Sequence, residues 1–190
     1  IVLGQSFGGA VALAWAAHFP DTLSGLVLLA APSNLWDTPI DPLYRVIASP
    51  AGAALFVPIL TAWVPDTYVA NAISGVFHPQ SEPLGYAAFF GPGMSLRRSA
   101  MIADARQRTR LMPDIKSMIP LYDAIRIPTE LLHGDKDLTV GLSIHSALLV
   151  DQIPEANLTV LEGIGHMPHH VSEPEVIAAI ARTAIRAGLR

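Results

Sequence analysis

The feature that most constrains this chain stands at its start. A β-branched apolar run, Ile1-Val2-Leu3, passes without a linker into Gly4-Gln5-Ser6-Phe7-Gly8-Gly9, and then into an Ala-rich stretch of helix formers from Gly8 to Phe19. Strand, sharp turn and helix in immediate succession, with G-x-S-x-G at the junction, hold a serine on a strained turn with its hydroxyl clear of the sheet. Gly4 and Gly8 are expected to be glycine because a Cβ at either position would collide with the neighbouring strand or helix. A helix that begins just after Ser6 also directs free backbone N–H groups at any oxygen that becomes negative there. The Phe7 N–H is the expected oxyanion donor. The competing readings are a Gly-rich turn with an incidental serine, a phosphate loop and a dinucleotide fingerprint. The last two fail, because neither G-x-x-x-x-G-K-[ST] nor G-x-G-x-x-G occurs in the chain.

The rest of the sequence supplies the fold around this turn. Pro20-Asp21 stops the first helix, and Leu26-Val27-Leu28-Leu29 is a continuous apolar run of the kind that fills a parallel sheet covered on both faces. From Pro32 to about Pro120 the pattern changes to short apolar helices broken by Pro and Gly, with Trp36, Tyr44, Phe56, Trp63, Tyr68, Phe77, Tyr86, Phe89 and Phe90 scattered through it. This reads as an inserted helical lid. After Ile127-Pro128 the α/β rhythm returns, with strands expected at Thr129–His133 and Asn157–Leu161 and helices at Ser143–Gln152 and Glu173–Ala187. The last helix carries Val176, Ile177, Ile180, Ala184 and Ile185 as its apolar stripe, with Arg182, Arg186 and Arg190 near the end where cations suit the helix dipole. The chain is thus α/β, with core segments at 1–32 and 121–190 and a cap at 33–120. The uncharged stretch Val46–Val64 is interrupted by Pro50 and Pro58, so short buried helices are expected there and no integral membrane span.

A serine nucleophile needs a base, and the base needs an orienting anion. Downstream, Leu131-Leu132-His133-Gly134-Asp135-Lys136-Asp137 puts two carboxylates in the turn after one strand, and Gly163-Ile164-Gly165-His166 puts a histidine in the turn after the next. Strand carboxyl ends are where groups gather in open parallel sheets, so Ser6, an aspartate and His166 can converge there. Either Asp135 or Asp137 fits as the acid, the other being a solvated turn residue or a carboxylate that caps the following helix. His169 and His170 behind His166 have a spacing that permits metal ligation, but no second cluster of ligands accompanies them, and no metal is expected. His18, His78 and His145 read as structural or surface residues, and His133 as a group behind the site. The absence of cysteine excludes a disulfide framework, a thiolate metal site and a cysteine nucleophile, and leaves the redox compartment open. With a net charge of −4 and no basic run, nucleic acid is not an expected partner.

Taken together, Gly4 to Gly9, Pro128 to Asp137, and Gly163-Ile164-Gly165-His166-Met167-Pro168 followed by Glu173-Pro174-Glu175 resemble the serine-nucleophile branch of the α/β-hydrolases, over nearly the whole chain. The resemblance favours Asp137 as the acid through the family's G-x-x-D turn. It implies an eight-stranded sheet with a helical cap after the sixth strand, residues 1–32 carrying strands five and six and residues 128–190 strands seven and eight. The family's first four strands and its second oxyanion N–H would then lie before Ile1, and the Met-less start inside an apolar run reads as a cut end. On that expectation the chain as it stands carries one oxyanion donor, exposes a sticky sheet edge, and is poorly soluble or inactive where its longer parent is active. The implied activity is cofactor-free hydrolysis of an ester or related acyl bond. Carbon–carbon bond hydrolases and perhydrolases use the same residues, and a hydrolase-fold protein that only binds a ligand is the rival from another class. The aromatic and aliphatic lid from Leu35 to Phe90 points to an apolar small-molecule substrate.

Overall fold

The computed structural model describes residues 1–94 and 96–189. Their strands, β1 (Val2–Gln5), β2 (Leu26–Leu29), β3 (Thr129–Gly134) and β4 (Ala156–Leu161), form one sheet in the order β1-β2-β3-β4 with every pair parallel. The register pairs Gln5 with Leu29, Leu29 with Leu132 and Gly134 with Leu161, so the carboxyl ends run level along one edge. The turns that follow β1, β3 and β4 open side by side there.

The helices are α1 (Phe7–His18), α2 (Pro42–Ala48), α3 (Pro50–Trp63), α4 (Asp66–Phe77), α5 (Tyr86–Phe90), α6 (Arg98–Met118), α7 (Ser146–Gln152), α8 (Pro168–Val171) and α9 (Glu173–Arg186). One compact unit comprises Ile1–Trp36, Val76–Ser81 and Ile115–Arg190, and a second comprises Asp37–Gly75 and Glu82–Asp114. Of the helical insertion expected over 33–120, residues 33–36, Val76–Ser81 and 115–120 therefore group with the sheet.

In the sheet unit, β2 is buried along its whole length, as its unbroken apolar run requires. Val27 and Leu29 pack with Leu132, Leu161 and the α9 residues Val176 and Ala179. By alternation, Leu26 and Leu28 point to the opposite face and are buried as well. The apolar stripe expected on α9 is corrected in its rotation. Val176, Ala179, Thr183 and Ala184 are buried, whereas Ile177 is 57% and Ile185 63% exposed. The cause is a buried carboxylate. Glu130 in β3, 1% exposed, pairs with Arg182 at 2.9 Å and Arg186 at 3.0 Å, and so fixes which side of α9 faces the sheet. These arginines answer a specific charge rather than only the helix dipole; Arg190 lies outside the described residues.

In the helical unit, Asp41 caps α2 by accepting from Leu43 N–H at 2.8 Å, and Ser49 caps α3 by accepting from Gly52 N–H at 3.1 Å. Ile47, Ala53, Val57 and Ala105 form its buried centre. No described helix is long and apolar enough to cross a membrane, and α2 and α3 meet at a 111° bend. The expectation of buried helices there holds only in part, for Leu55 and Ile59 are exposed and Trp63 is 81% exposed. The two caps and Pro50 break the segment into two helices that are too short to enclose each other.

Candidate active site

Ser6 joins β1 to α1 in a backbone conformation, φ 50° and ψ −123°, that side-chain-bearing residues rarely adopt. The turn is held by Ser6 N–H donating to Leu29 O at 2.9 Å, and by Gly9 and Ala10 N–H donating to Ser6 O. Phe7 is the first residue of α1, where the N–H has no intrahelical acceptor. The glycine expectation is half corrected. A Cβ on Gly4 would sit 2.2 Å from Gly8 O, but a Cβ on Gly8 would meet nothing within 4 Å. The second close approach belongs to Gly9, whose Cβ would fall 2.4 Å from that of Ala31. Gly8→Ala is therefore expected to be neutral or stabilising by up to about 1 kcal/mol, and Gly4→Ala and Gly9→Ala to cost about 1–3 kcal/mol or more. Denaturant midpoints of the three variants check this order.

The three residues expected to converge lie in one hydrogen-bonded string. Ser6 Oγ is 2.9 Å from His166 Nε2, and His166 Nδ1 is 2.7 Å from Asp137 Oδ2. Asp137 and His166 are buried. Asp137 Oδ1 accepts from Thr139 N–H at 2.8 Å and Val140 N–H at 2.9 Å. Burial works to raise the Asp137 carboxyl, but hydrogen bonds from His133 and His166, the His166 charge and the Val140 N–H outweigh it and hold the group well below the usual carboxylate range.

His133 stands behind this acid, 0% exposed. Its Nε2 is 2.8 Å from Val140 O, which can only accept, so Nε2 carries the proton and also points it at Asp137 Oδ2, 3.2 Å away. Nδ1 then accepts from the Ser146 hydroxyl at 2.7 Å. Asp135 is neither free in solvent nor a helix cap. Its Oδ1 accepts from Gly163 N–H at 2.6 Å and its Oδ2 pairs with Lys136 at 2.8 Å, so it holds the start of the histidine loop. The Lys136 hydrogen bond, with that of Gly163, lowers its carboxyl.

The loop from Gly163 to His166 is fixed along its backbone. Lys136 N–H donates to Ile164 O at 3.0 Å, the Gln5 amide donates to His166 O at 2.9 Å, and the Gln80 side chain takes part as described below. A Cβ on Gly134 would lie 2.1 Å from Ile164 O, so the two turns touch through backbone. Gln5 was visible inside the elbow motif, but nothing local indicates that its side chain reaches a loop 161 residues away. Ser146 and Gln80 carry no local signal.

His145, expected to be structural, is buried at the start of α7, and its Nδ1 accepts from Ser33 N–H at 3.1 Å and Asn34 N–H at 3.2 Å. Burial pushes it down to about 4, and burial does the same for His169. A proton on His145 would also face two donors. Because its folded value lies below the ordinary 6.5, the unfolded chain binds the extra proton between these values, and stability is lost as pH falls from 6.5 towards 4. His145→Asn, which keeps an acceptor near the Nδ1 position, is expected to flatten this slope in urea denaturation run between about pH 7 and about pH 4.5. An unchanged slope would assign it elsewhere. The His169 and His170 ring centroids lie 4.1 Å apart with the planes tilted by 44°, and among the described residues no group of three or more His, Asp or Glu is arranged to hold a metal.

A family model for the alpha/beta hydrolase fold matches residues 1–173. An uncharacterized protein of Mycobacterium tuberculosis is 26% identical over 199 residues, covering 95% of this chain and 54% of that protein. The monoacylglycerol lipase of Mycolicibacterium smegmatis is 26% identical over 187 residues, 93% of this chain and 58% of that protein. The chain thus spans about half the length of the curated relatives it matches. Among solved structures, the 2-hydroxy-6-oxo-6-phenylhexa-2,4-dienoate hydrolase of Rhodococcus sp. strain RHA1 superposes with a TM-score of 0.71 at 17% identity, covering 94% of this chain and 63% of that one. With the parallel sheet, the positive-φ serine at its carboxyl edge and a family match over most of its length, the chain belongs to the alpha/beta hydrolase fold family.

Proposed function

We propose that this chain carries the reacting groups of a serine hydrolase that cleaves an ester or related acyl bond in an apolar small molecule. The observation that carries the reading is the continuous string Ser6 Oγ, His166 Nε2, His166 Nδ1, Asp137 Oδ2 at 2.9 and 2.7 Å. Ser6 Oγ attacks the acyl carbon while its proton passes to His166 Nε2, and the carbonyl electron pair moves onto oxygen, where the Phe7 N–H receives it. His166 returns the proton to the leaving alcohol. Water then repeats the sequence on the acyl-serine and frees Ser6. Asp137 keeps the His166 Nδ1–H in place and stabilises the imidazolium, a role suited to a carboxylate held ionised by several donors.

An apolar substrate is supported by the aromatic and aliphatic composition of the insertion from Leu35 to Phe90. The activity named for the Mycolicibacterium relative, that of a monoacylglycerol lipase, is compatible with such a substrate. A fluorophosphonate probe is expected to label Ser6, located by peptide mass spectrometry, in a protein that carries this chain together with the rest of the family's sheet, with turnover of p-nitrophenyl esters rising with acyl length. Labelling that persists in Ser6→Ala would sink the reading.

A further inference from the structure

We infer that Gln80, in the short strap Val76–Ser81, is a positioning residue for His166, a conclusion that rests on His166 being the base. The strap lies in the middle of the helical insertion by sequence, yet it belongs to the compact unit that holds the sheet. Its anchor is Phe77, 1% exposed, whose ring lies 5.8 Å from that of His170. His78 O then comes so close to the histidine loop that a Cβ on Gly165 would fall 1.9 Å from it. From this position the primary amide of Gln80 uses both ends on the loop. Its Nε2 donates to Gly163 O at 2.6 Å, and its Oε1 accepts from Gly165 N–H at 3.0 Å.

At Gly163 O and Gly165 N–H the group that holds the loop is the Gln80 amide. Gly163 has a φ of +72° and Gly165 has no side chain, so the path into His166 has no side-chain packing of its own at either residue. Asp135 takes the Gly163 N–H, Lys136 N–H donates to the Ile164 carbonyl and Gln5 takes the His166 carbonyl, while Gln80 holds the Gly163 carbonyl and the Gly165 N–H. A side-chain amide carries a donor and an acceptor at the two ends of one planar group, so it can donate to one carbonyl and accept from an N–H two residues on. Gln80 touches no reacting atom; it acts through the backbone that carries the imidazole to Ser6, where displacements of about 1 Å are costly.

The test uses Gln80→Met, which keeps the shape and removes both bonds, and Gln80→Glu, which keeps the acceptor and removes the donor. Ester hydrolysis, the downfield proton resonance of the His166–Asp137 hydrogen bond and thermal stability are measured for each. Ile153→Val, matched in stability loss, serves as the control. Gln80→Met is expected to lower kcat about tenfold with KM unchanged, and to shift or broaden the resonance, Gln80→Glu falling between it and wild type. Wild-type kcat and resonance in Gln80→Met, or an equal change in Ile153→Val, would overturn the inference. Ser6→Ala run alongside separates the two ideas. If it is inactive while Gln80→Met is unaffected, only the role of Gln80 fails. If it stays active, the serine reading fails, and the resonance still decides whether Gln80 orients the His166 ring.

Discussion

Ser6→Ala is expected to lower kcat for ester hydrolysis on the order of 10⁵–10⁶-fold, with His166→Ala losing a similar amount and the double variant little more than either. The reason is that the two groups perform one step. Ser6 Oγ is a weak nucleophile unless its proton leaves as the bond forms, and the acceptor is His166 Nε2, 2.9 Å away. Removing either side chain abolishes the same transfer, so the losses cannot add. What remains in each variant is the stabilisation of the oxyanion by backbone N–H groups and whatever binding energy the substrate retains. Stopped-flow measurement with a p-nitrophenyl ester checks this, since it reports acylation separately from turnover. Losses that add in the double variant would show that Ser6 and His166 act in different steps, and the proposed chemistry would be wrong.

The second large effect is expected at the acid, and it separates two neighbouring aspartates. Asp137→Asn is expected to cost about 10⁴ in kcat and also to destabilise the fold, whereas Asp135→Asn is expected to cost less than about tenfold. Every oxygen of Asp137 faces donors: Thr139 and Val140 N–H at Oδ1, His133 Nε2–H and His166 Nδ1–H at Oδ2. An asparagine must turn its NH₂ group towards one of these sets. Donor then meets donor, and either the turn after β3 loosens or His166 takes the other tautomer and loses its readiness to accept from Ser6. Asp135 differs, for its Oδ1 accepts a single Gly163 N–H that an asparagine oxygen can also accept, and only the Lys136 pair is lost. Kinetics of both variants, with denaturant unfolding to measure the stability part, decide the matter. A large loss for Asp135→Asn with little change for Asp137→Asn would exchange their roles.

Much of this was legible in order along the chain. The four strands and most of the helices follow from runs and periodicities of neighbouring residues. Ser6, the pair Asp135 and Asp137, and His166 stand out because each ends or follows a strand in a turn whose composition is local, and only the resemblance chose Asp137 of the two. The errors share a cause. Gly8 matched a motif position, but whether a Cβ fits depends on what lies opposite, and open space lies there while Ala31 crowds Gly9. The α9 stripe was read from hydropathy, but its rotation was settled by Glu130, some fifty residues earlier and buried in β3.

The sequence by itself therefore determined the fold class, the elbow and the groups that could form a hydrogen-bonded string, since these depend on near neighbours and on the carboxyl edge common to parallel strands. Only the tertiary structure decided how that string is supported. His133 behind the acid, Asp135 on the Gly163 N–H and Gln80 reaching Gly165 across 85 residues are contacts between segments that carry no mark of each other. Hydrogen bonds of a few ångströms are satisfied by whatever polar group the packed chain brings near, and that depends on where the chain returns, which short-range pattern does not encode.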